Sequence, residues 1–302
     1  MKDKKATNKV INLTDRISEK NGMSADPIDV REKSDTRVIA ITSGKGGVGK
    51  TNIVANLGFA LSKMGKRVLI LDADLGLANL DVLLGLAPKY NFSHVIMGTK
   101  NIREITMKGP GDISILPASS GIQELTKLTK EQGIRFLTEL DVFLDSFDVL
   151  LIDTAAGISS NVMYFNSTAQ EVMVVVSPEP TSITDAYALM KVLSLRYAQK
   201  YFKLVVNQAS SEDEAREVFR QLNLVAERFL DISIAYMGHV LNDKNIKKSV
   251  RQQKIVSELF PDTLASHCFK SLAKTVDESG PPNSPKGNTN FFWKHFLRND
   301  FD

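Results

Sequence analysis

The segment TSGKGGVGKT, residues 42–51, fits the pattern G-x-x-x-x-G-K-[ST] of a phosphate-binding loop. The fixed positions are Gly44, Gly49, Lys50 and Thr51. An apolar run (VIAIT) precedes the loop and a helical pattern (KTNIVANLGFALSKMG) follows it, which is the strand–loop–helix context that the motif requires. Glycines let backbone N–H groups approach phosphates, and the N-terminus of the following helix attracts anions. A chance glycine-rich turn is therefore disfavoured, and the loop predicts a bound nucleotide.

Short apolar runs alternate with helical patterns from residue 37 onward. The runs are VIAIT (38–42), VLILD (68–72), ISILPA (113–118), VLLID (149–153), VMVVV (172–176), LVVN (204–207) and the less regular IAYMGHV (234–240). They are nearly continuous rather than alternating, which is typical of strands that helices cover on both faces. The pattern predicts an α/β fold with a doubly wound, mostly parallel sheet of the P-loop NTPase kind, and ligands at the carboxyl ends of the strands.

The composition divides the 302 residues into four segments. Residues 1–36 are polar and predict a flexible N-terminal arm, and residues 37–276 form the α/β domain. Residues 277–290 are rich in Pro, Gly, Ser and Asn, and they predict a linker before residues 291–302. No apolar run approaches the roughly 20 residues of a spanning helix, and no secretory signal is recognisable. A single cysteine, Cys268, excludes an intrachain disulfide framework, so the sequence predicts a cytoplasmic protein.

The charge of the whole chain does not indicate a partner, but one short segment is strongly basic. The net charge of +3 is too small to indicate nucleic acid by itself. One segment, residues 242–254, concentrates five cations beside a single acid, Asp243; the cations are Lys244, Lys247, Lys248, Arg251 and Lys254. At helical spacing this pattern is typical of a solvated basic face, and the alternative is a docking patch for an anionic partner. The four histidines have no metal-ligand spacing, so no structural metal is predicted.

A second lysine, Lys45, directly follows the first glycine of the loop. The sequence K-G-G-x-G-K-[ST] resembles the deviant phosphate loop of the MinD/ParA family of ATPases. The resemblance implies that Lys45 contacts phosphates bound by an opposite subunit, where its charge stabilises the transferring phosphoryl group only after two copies meet. It thus implies an ATP-bound homodimer; the alternative is a solvated lysine beside the loop. It also implies a nucleotide site formed by Gly44, Gly46, Gly47, Val48, Gly49, Lys50, Thr51 and Asn52.

Two acidic stretches resemble the switch segments of that family. In LDADLGLANLD the resemblance makes Asp74 the residue that orients the attacking water and Asp72 a helper near the metal. In LLIDTAAGIS it makes Asp153 a contact of Mg²⁺ through water and Gly157 a neighbour of the γ-phosphate. An acidic residue that ends a buried strand is unfavourable without a cation beside it, although Asp153 could instead be an N-cap. Together with the Thr51 hydroxyl, these stretches predict a Mg²⁺ site.

Base selection depends on LVVNQA, in which Asn207 ends another predicted strand. The resemblance makes its side-chain amide an adenine contact, and the guanine-specific pattern N-K-x-D is missing. The family likeness therefore predicts ATP and Mg²⁺ as cofactors. It predicts slow, partner-stimulated ATP hydrolysis, with Lys45 and Asp74 as the catalytic residues.

Longer stretches narrow the resemblance, which covers roughly residues 37–276. DLGLANLDVLLG is similar to MinD and to the FlhG branch, and SPEPTSITDAYALMK favours the FlhG branch, whose members regulate flagellar number and placement. This likeness implies the GTPase FlhF and flagellar basal-body or regulatory proteins as partners. The N-terminal arm lacks the Asp-Gln-Ala core by which many members stimulate FlhF. Alternatives are a MinD-type regulator of the division site, a ParA-type DNA-partition ATPase and a non-hydrolysing adaptor.

The C-terminal segment FFWKHFLRNDF predicts an amphipathic helix. At about 100° per residue, one half carries Phe292, Trp293, Phe296, Leu297 and Phe301, and the other carries basic and polar residues. Aromatic residues opposite basic ones favour a membrane interface with anionic headgroups, and two copies in a dimer gain avidity. The alternative is a helix that covers an apolar groove of its own domain or of a protein partner. The sequence thus predicts reversible attachment to the inner face of the cell membrane, with nucleic acid an unlikely partner.

Overall fold

The computed structural model describes residues 36–74, 80–117 and 139–280, and it contains an eight-stranded sheet. The strands are β1 (Arg37–Ser43), β2 (Val68–Ala73), β3 (Met107–Lys108), β4 (Ser114–Pro117), β5 (Val149–Ala156), β6 (Glu171–Val176), β7 (Tyr201–Ala209) and β8 (Ser233–Leu241). Their order is β3-β4-β2-β5-β1-β6-β7-β8, and every neighbouring pair is parallel except β3–β4. The predicted doubly wound, mostly parallel sheet is confirmed.

All seven predicted apolar runs are strands, and one strand was missed. The missed strand, β3, has two residues and pairs antiparallel with β4 at the edge of the sheet. A run of two residues carries no periodicity, so sequence patterns cannot identify it. The predicted domain limits remain predictions, because the arm, most of the linker and the C-terminal segment lie outside the described residues.

Helices cover both faces of the sheet. They are α1 (Lys50–Lys63), α2 (Leu80–Leu84), α3 (Phe92–Ile96), α4 (Ile102–Ile105), α5 (Ser160–Thr168), α6 (Pro180–Tyr197), α7 (Glu212–Leu230), α8 (Lys244–Arg251), α9 (Val256–Leu259) and α10 (Leu264–Glu278), with further helical residues at 139–144. Alternate residues of β6 enter different cores: Met173 packs with α1 and α10, and Val174 packs with α6 and α7. This burial on both faces explains why the strand sequences are continuously apolar. No helix within the described ranges is long and apolar enough to cross a membrane.

The amino ends of the central strands hold the end of α10. Arg37 of β1 donates to Glu171 of β6 at 2.9 Å and to the Val276 carbonyl of α10 at 2.6 Å. Lys203 of β7 also pairs with Glu171, whose side chain is 1% exposed. The last turn of α10 is therefore fixed at the pole of the sheet opposite the carboxyl ends of the strands.

Candidate nucleotide site

The phosphate loop joins β1 to α1 and needs glycine where it touches its neighbours. Gly49, at the N-terminus of α1, has φ 86°, and a Cβ there would lie 2.3 Å from Asn207 Nδ2. A Cβ at Gly44 would lie 2.2 Å from the backbone carbonyl of Asp185 in α6. Both distances are shorter than any real contact, so the loop fits between β7 and α6 only without these side chains.

The loop opens into a cleft of about 640 Å³ at the carboxyl ends of the strands. Its lining consists of Ser43, Gly46, Gly47, Val48, Gly49, Lys50, Thr51, Asn52, Asp74, Val82, Leu83, Ala156, Val250 and Gln253. The structure therefore brings the predicted loop residues from Gly46 to Asn52 together with Asp74. Sequence reasoning missed the wall opposite the loop, which comes from α2 and α8.

Two carboxylates lie side by side beneath the cleft. Asp72 of β2 is the strand partner of Asp153 in β5, and Lys50 Nζ donates to Asp153 Oδ1 at 2.8 Å. Burial, and next the charge of Asp153, raise the pKa of Asp72 to about 7. The N-cap of α5 is Ser159, so the N-cap alternative for Asp153 is wrong.

This pair of carboxylates fits a magnesium ion. One lysine faces two acidic groups, so the site has an excess of carboxylate oxygens, which are the ligands that Mg²⁺ prefers, and the Thr51 hydroxyl lines the adjoining cleft. Within the described ranges, no three His, Cys, Asp or Glu side chains come together as a metal site. A Mg²⁺ ion would therefore also need phosphate oxygens and water as ligands, as expected for an ion that arrives with a nucleotide.

The second acidic stretch is bonded to the phosphate loop. The Thr154 hydroxyl donates to the Ile41 carbonyl at 3.1 Å, and the Gly157 amide donates to the Ser43 carbonyl at 2.9 Å. Gly157 has φ 93°, which favours glycine. The structure thus places Gly157 beside the start of the loop, and its role toward a γ-phosphate stays a prediction.

Lys45 points away from the cleft. Its Nζ lies 2.6 Å from Glu179 Oε2 and 2.8 Å from Thr181 Oγ1, at the beginning of α6. The lysine is therefore not freely solvated, and it is not among the residues that line the cleft. Sequence reasoning missed Glu179 and Thr181, although an acid followed by Pro180 directly after the buried strand β6 was a usable signal.

Asn207 lies between the loop and a second opening of about 550 Å³, which shares Gly47, Gly49 and Asn52 with the first. Its Nδ2 donates to the Val48 carbonyl at 2.7 Å, so its Oδ1 is the atom that can accept from the amino group of adenine. Apolar residues of α8, Ile246 and Val250, line the other side of this opening. Gln208, also missed from the sequence, donates to the Gly47 carbonyl at 3.4 Å.

The remaining predictions concern the surface. All five cations of the basic segment are exposed, as a solvated face requires, and within the described ranges none of them forms an ion pair; they are Lys244, Lys247, Lys248, Arg251 and Lys254. The predicted membrane residues, Phe292, Trp293, Phe296, Leu297 and Phe301, lie outside the described residues.

Known proteins with similar sequences and structures cover most of the chain. A family model described as an AAA domain matches residues 36–206. The chain is 45% identical over 262 residues to the antiactivator FleN of Pseudomonas aeruginosa, covering 87% of this chain and 94% of FleN. It is 33% identical over 270 residues to the flagellum site-determining protein YlxH of Helicobacter pylori, covering 88% and 91%. The septum site-determining protein MinD of Pyrococcus horikoshii, solved with Mg-ADP, shares the fold with a TM-score of 0.64 at 24% identity, covering 81% and 97%.

Proposed function

The chain belongs to the MinD/ParA family of P-loop ATPases, in the branch of FleN and FlhG, and we propose that it is an ATP-driven switch that dimerises, binds the membrane and regulates flagellar number or placement. One observation carries the proposal. Lys50 lies inside the cleft, whereas Lys45 is held outside it by Glu179 and Thr181. A family ATPase whose outer lysine does not reach its own phosphates needs a second copy to complete the site.

The residues of one copy divide the work of ATP hydrolysis. Lys50, Thr51 and the loop amides bind the phosphates, and Asn207 binds adenine through Oδ1. Asp74, at the wall of the cleft, orients the attacking water. Asp153 pairs with Lys50 and would hold Mg²⁺ through water, and the bound ion would supply positive charge to the phosphate oxygens.

The partner copy supplies the remaining charge. Lys45 leaves Glu179 and Thr181 and reaches the phosphates of the opposite subunit, where it stabilises the charge that develops during phosphoryl transfer. Hydrolysis is therefore slow in the monomer and depends on dimerisation and on a stimulating partner. Slow turnover suits a timer rather than a metabolic enzyme.

The membrane step uses the opposite pole of the molecule. α10 ends at the amino ends of the strands, held by Arg37, while the nucleotide cleft lies at their carboxyl ends. A dimer formed across the clefts therefore leaves the end of α10 in each copy away from the interface. One short amphipathic helix binds weakly, and two on one dimer bind with avidity.

The relatives support a flagellar output. FleN is an antiactivator, and YlxH determines the site of the flagellum. The partners that fit this proposal are the GTPase FlhF, flagellar basal-body or regulatory proteins, and the inner membrane surface. We expect the protein to exchange between the cytoplasm and that surface as ATP is bound and hydrolysed.

Sedimentation with anionic liposomes tests the switch. The intact chain should pellet with a non-hydrolysable ATP analogue and not with ADP, and a chain that ends at Asn290 should stay in the supernatant with either nucleotide. A Lys45→Ala variant should also fail to pellet with the analogue, since it cannot complete the dimer.

Other outcomes are equally informative. Equal pelleting with ADP and the analogue would mean that the tail is a constitutive anchor. Absence of pelleting would exclude the membrane step, and a salt-dependent shift on duplex DNA would then favour the DNA-partition alternative.

A further inference from the structure

The turn between α8 and α9 contains a glutamine in an unfavourable backbone conformation. Gln253 has φ 54°, in the left-handed region that glycine adopts more easily. Within the described ranges, five residues other than glycine have a positive φ, and two of them, Gln208 and Gln253, line the nucleotide openings. A turn that required only this backbone would be more stable with glycine, so the presence of glutamine indicates a role for its side chain.

That side chain holds the short helix α2. Gln253 Nε2 donates to the Val82 carbonyl at 3.2 Å, across 171 residues of sequence. The turn after α2 fits closely against it, because a Cβ at Gly85 would lie 3.2 Å from Gln253 Cβ. α2 has five residues, too few for a helix to be stable by itself, so it depends on such contacts.

α2 is a wall of the phosphate cleft. Val82 and Leu83 line the cleft together with Asp74, and α2 begins six residues after Asp74 in the sequence. A displacement of α2 would therefore change the wall of the cleft that Asp74 also lines.

The helix that follows the Gln253 turn, α9, is bonded to the P-loop helix. Asn56 of α1 is fully buried, and its Oδ1 accepts from the Ser257 amide at the start of α9 at 3.0 Å. Its Nδ2 donates to the carbonyl of Asn52, a residue that lines both openings, at 2.9 Å. Asn56 thus ties the start of α9, four residues after Gln253, to the P-loop helix, and Gln253 contacts α2 on the other side of the turn.

We propose that Gln253 is a positioning residue for ATP hydrolysis, which holds the α2 wall of the cleft at a fixed distance from the P-loop helix. This inference rests on the proposed ATPase function. In it, Gln253 fixes the position of α2, which lines the same cleft as Asp74.

One variant and a matched control test the Gln253 side chain. Gln253→Gly removes the amide and relieves the left-handed backbone, and the control Gln252→Ala changes the neighbouring exposed glutamine. Steady-state hydrolysis of Mg-ATP should show kcat reduced about tenfold in Gln253→Gly, the loss expected for one hydrogen bond, with KM within about twofold of wild type. Its melting temperature should be unchanged or higher, a combination that a merely structural role would not produce.

Hydrogen exchange tests the contact without relying on turnover. In the nucleotide-free protein, amides of residues 80–86 should exchange several-fold faster in Gln253→Gly than in wild type or Gln252→Ala, while those of α1 should not change. Unchanged exchange in that segment would overturn the proposal, and so would faster exchange with unchanged kcat. A wild-type protein that does not hydrolyse ATP would refute the proposed function instead, and the exchange data would still decide whether Gln253 holds α2.

Discussion

The two lysines of the phosphate loop are five residues apart and lie in opposite environments. Lys50 is 2.8 Å from Asp153, and these side chains are 9% and 1% exposed. Lys45 is 2.6 Å from Glu179, and these side chains are 35% and 61% exposed. Removing one member of a buried pair leaves an uncompensated charge, whereas an exposed pair contributes only about 0–1 kcal/mol. The inner lysine is therefore a fixed part of the site, and the outer lysine can exchange its partner at small cost.

The two lysines also bind to different kinds of element: the inner lysine to a central strand and the outer lysine to the beginning of a helix. Asp153 belongs to β5, a central strand that pairs with β1 and β2. Glu179 and Thr181 lie at the start of α6, the helix whose Asp185 backbone touches Gly44. We therefore expect a change at Lys45 to reach the loop through α6, without any change in the buried pair.

Removal of the inner lysine should have the largest effect. In Lys50→Ala, ATP hydrolysis should fall by about 10³-fold or more, because charge on the transferring phosphoryl group loses its main cation. The nucleotide-free protein should lose about 3 kcal/mol of unfolding free energy, since Asp153 stays buried without a partner. Phosphate release and urea unfolding measure the two effects. The double variant Lys50→Ala/Asp153→Asn should recover stability but not turnover, and turnover within tenfold of wild type in Lys50→Ala would contradict this account.

Removal of the outer lysine should separate turnover from binding. Lys45→Ala should reduce ATP hydrolysis by about 100-fold, since the cation delivered across the dimer is missing. Unfolding free energy should change by less than about 1 kcal/mol, because the lost ion pair is exposed. Fluorescent-nucleotide titration should give a monomer affinity within about threefold of wild type. The control is Lys200→Ala, which breaks another exposed ion pair at the opposite pole. If Lys45→Ala lost ATP affinity as strongly as it loses ATP hydrolysis, Lys45 would serve the site of its own subunit.

The inner site should also respond to pH. Since burial and Asp153 raise the pKa of Asp72 to about 7, the folded protein binds more protons than the unfolded chain between about pH 4 and 7. Unfolding free energy of the nucleotide- and Mg²⁺-free protein should therefore decrease as pH rises from 5 to 8. Asp72→Asn should remove most of this slope and be more stable than wild type by about 2–4 kcal/mol at pH 8. Urea unfolding at a series of pH values measures both slopes. If the unfolding free energies of wild type and Asp72→Asn changed in parallel with pH, Asp72 would not be the group responsible.

The sequence was sufficient to predict the site residues that lie in one continuous motif or at the ends of predicted strands. The glycines and lysines of the loop form one continuous motif, and Asp74, Asp153 and Asn207 follow predicted strands, whose carboxyl ends must meet at one edge of a parallel sheet. Predicting the strands was therefore enough to bring these residues together. The short strand β3 escaped because two residues show no pattern.

The residues that the sequence did not reveal depend on tertiary packing. Glu179 meets Lys45 across 134 residues, and Gln253 meets Val82 across 171. The basic face of α8 was recognisable from its periodicity, but the position of its apolar residue Val250 in the lining of the cleft depends on how α8 packs against the rest of the domain. No periodicity indicates that a glutamine will adopt a left-handed backbone, so its side chain could not be directed into the cleft from the sequence alone.

The smallest predicted effect concerns the partner that holds the outer lysine. In Glu179→Gln, the ion pair with Lys45 is lost while the side-chain shape is kept, so less free energy is needed to move Lys45 toward a second copy. Since an exposed pair contributes at most about 1 kcal/mol, ATP-analogue-dependent dimerisation should strengthen by about two- to fivefold, with unfolding free energy nearly unchanged. Sedimentation velocity across a concentration series measures the dimer dissociation constant. Glu212→Gln, which breaks another exposed pair, with Arg216 on α7, should have no effect. Weaker dimerisation in Glu179→Gln would show that the glutamate guides Lys45 across the interface rather than retaining it.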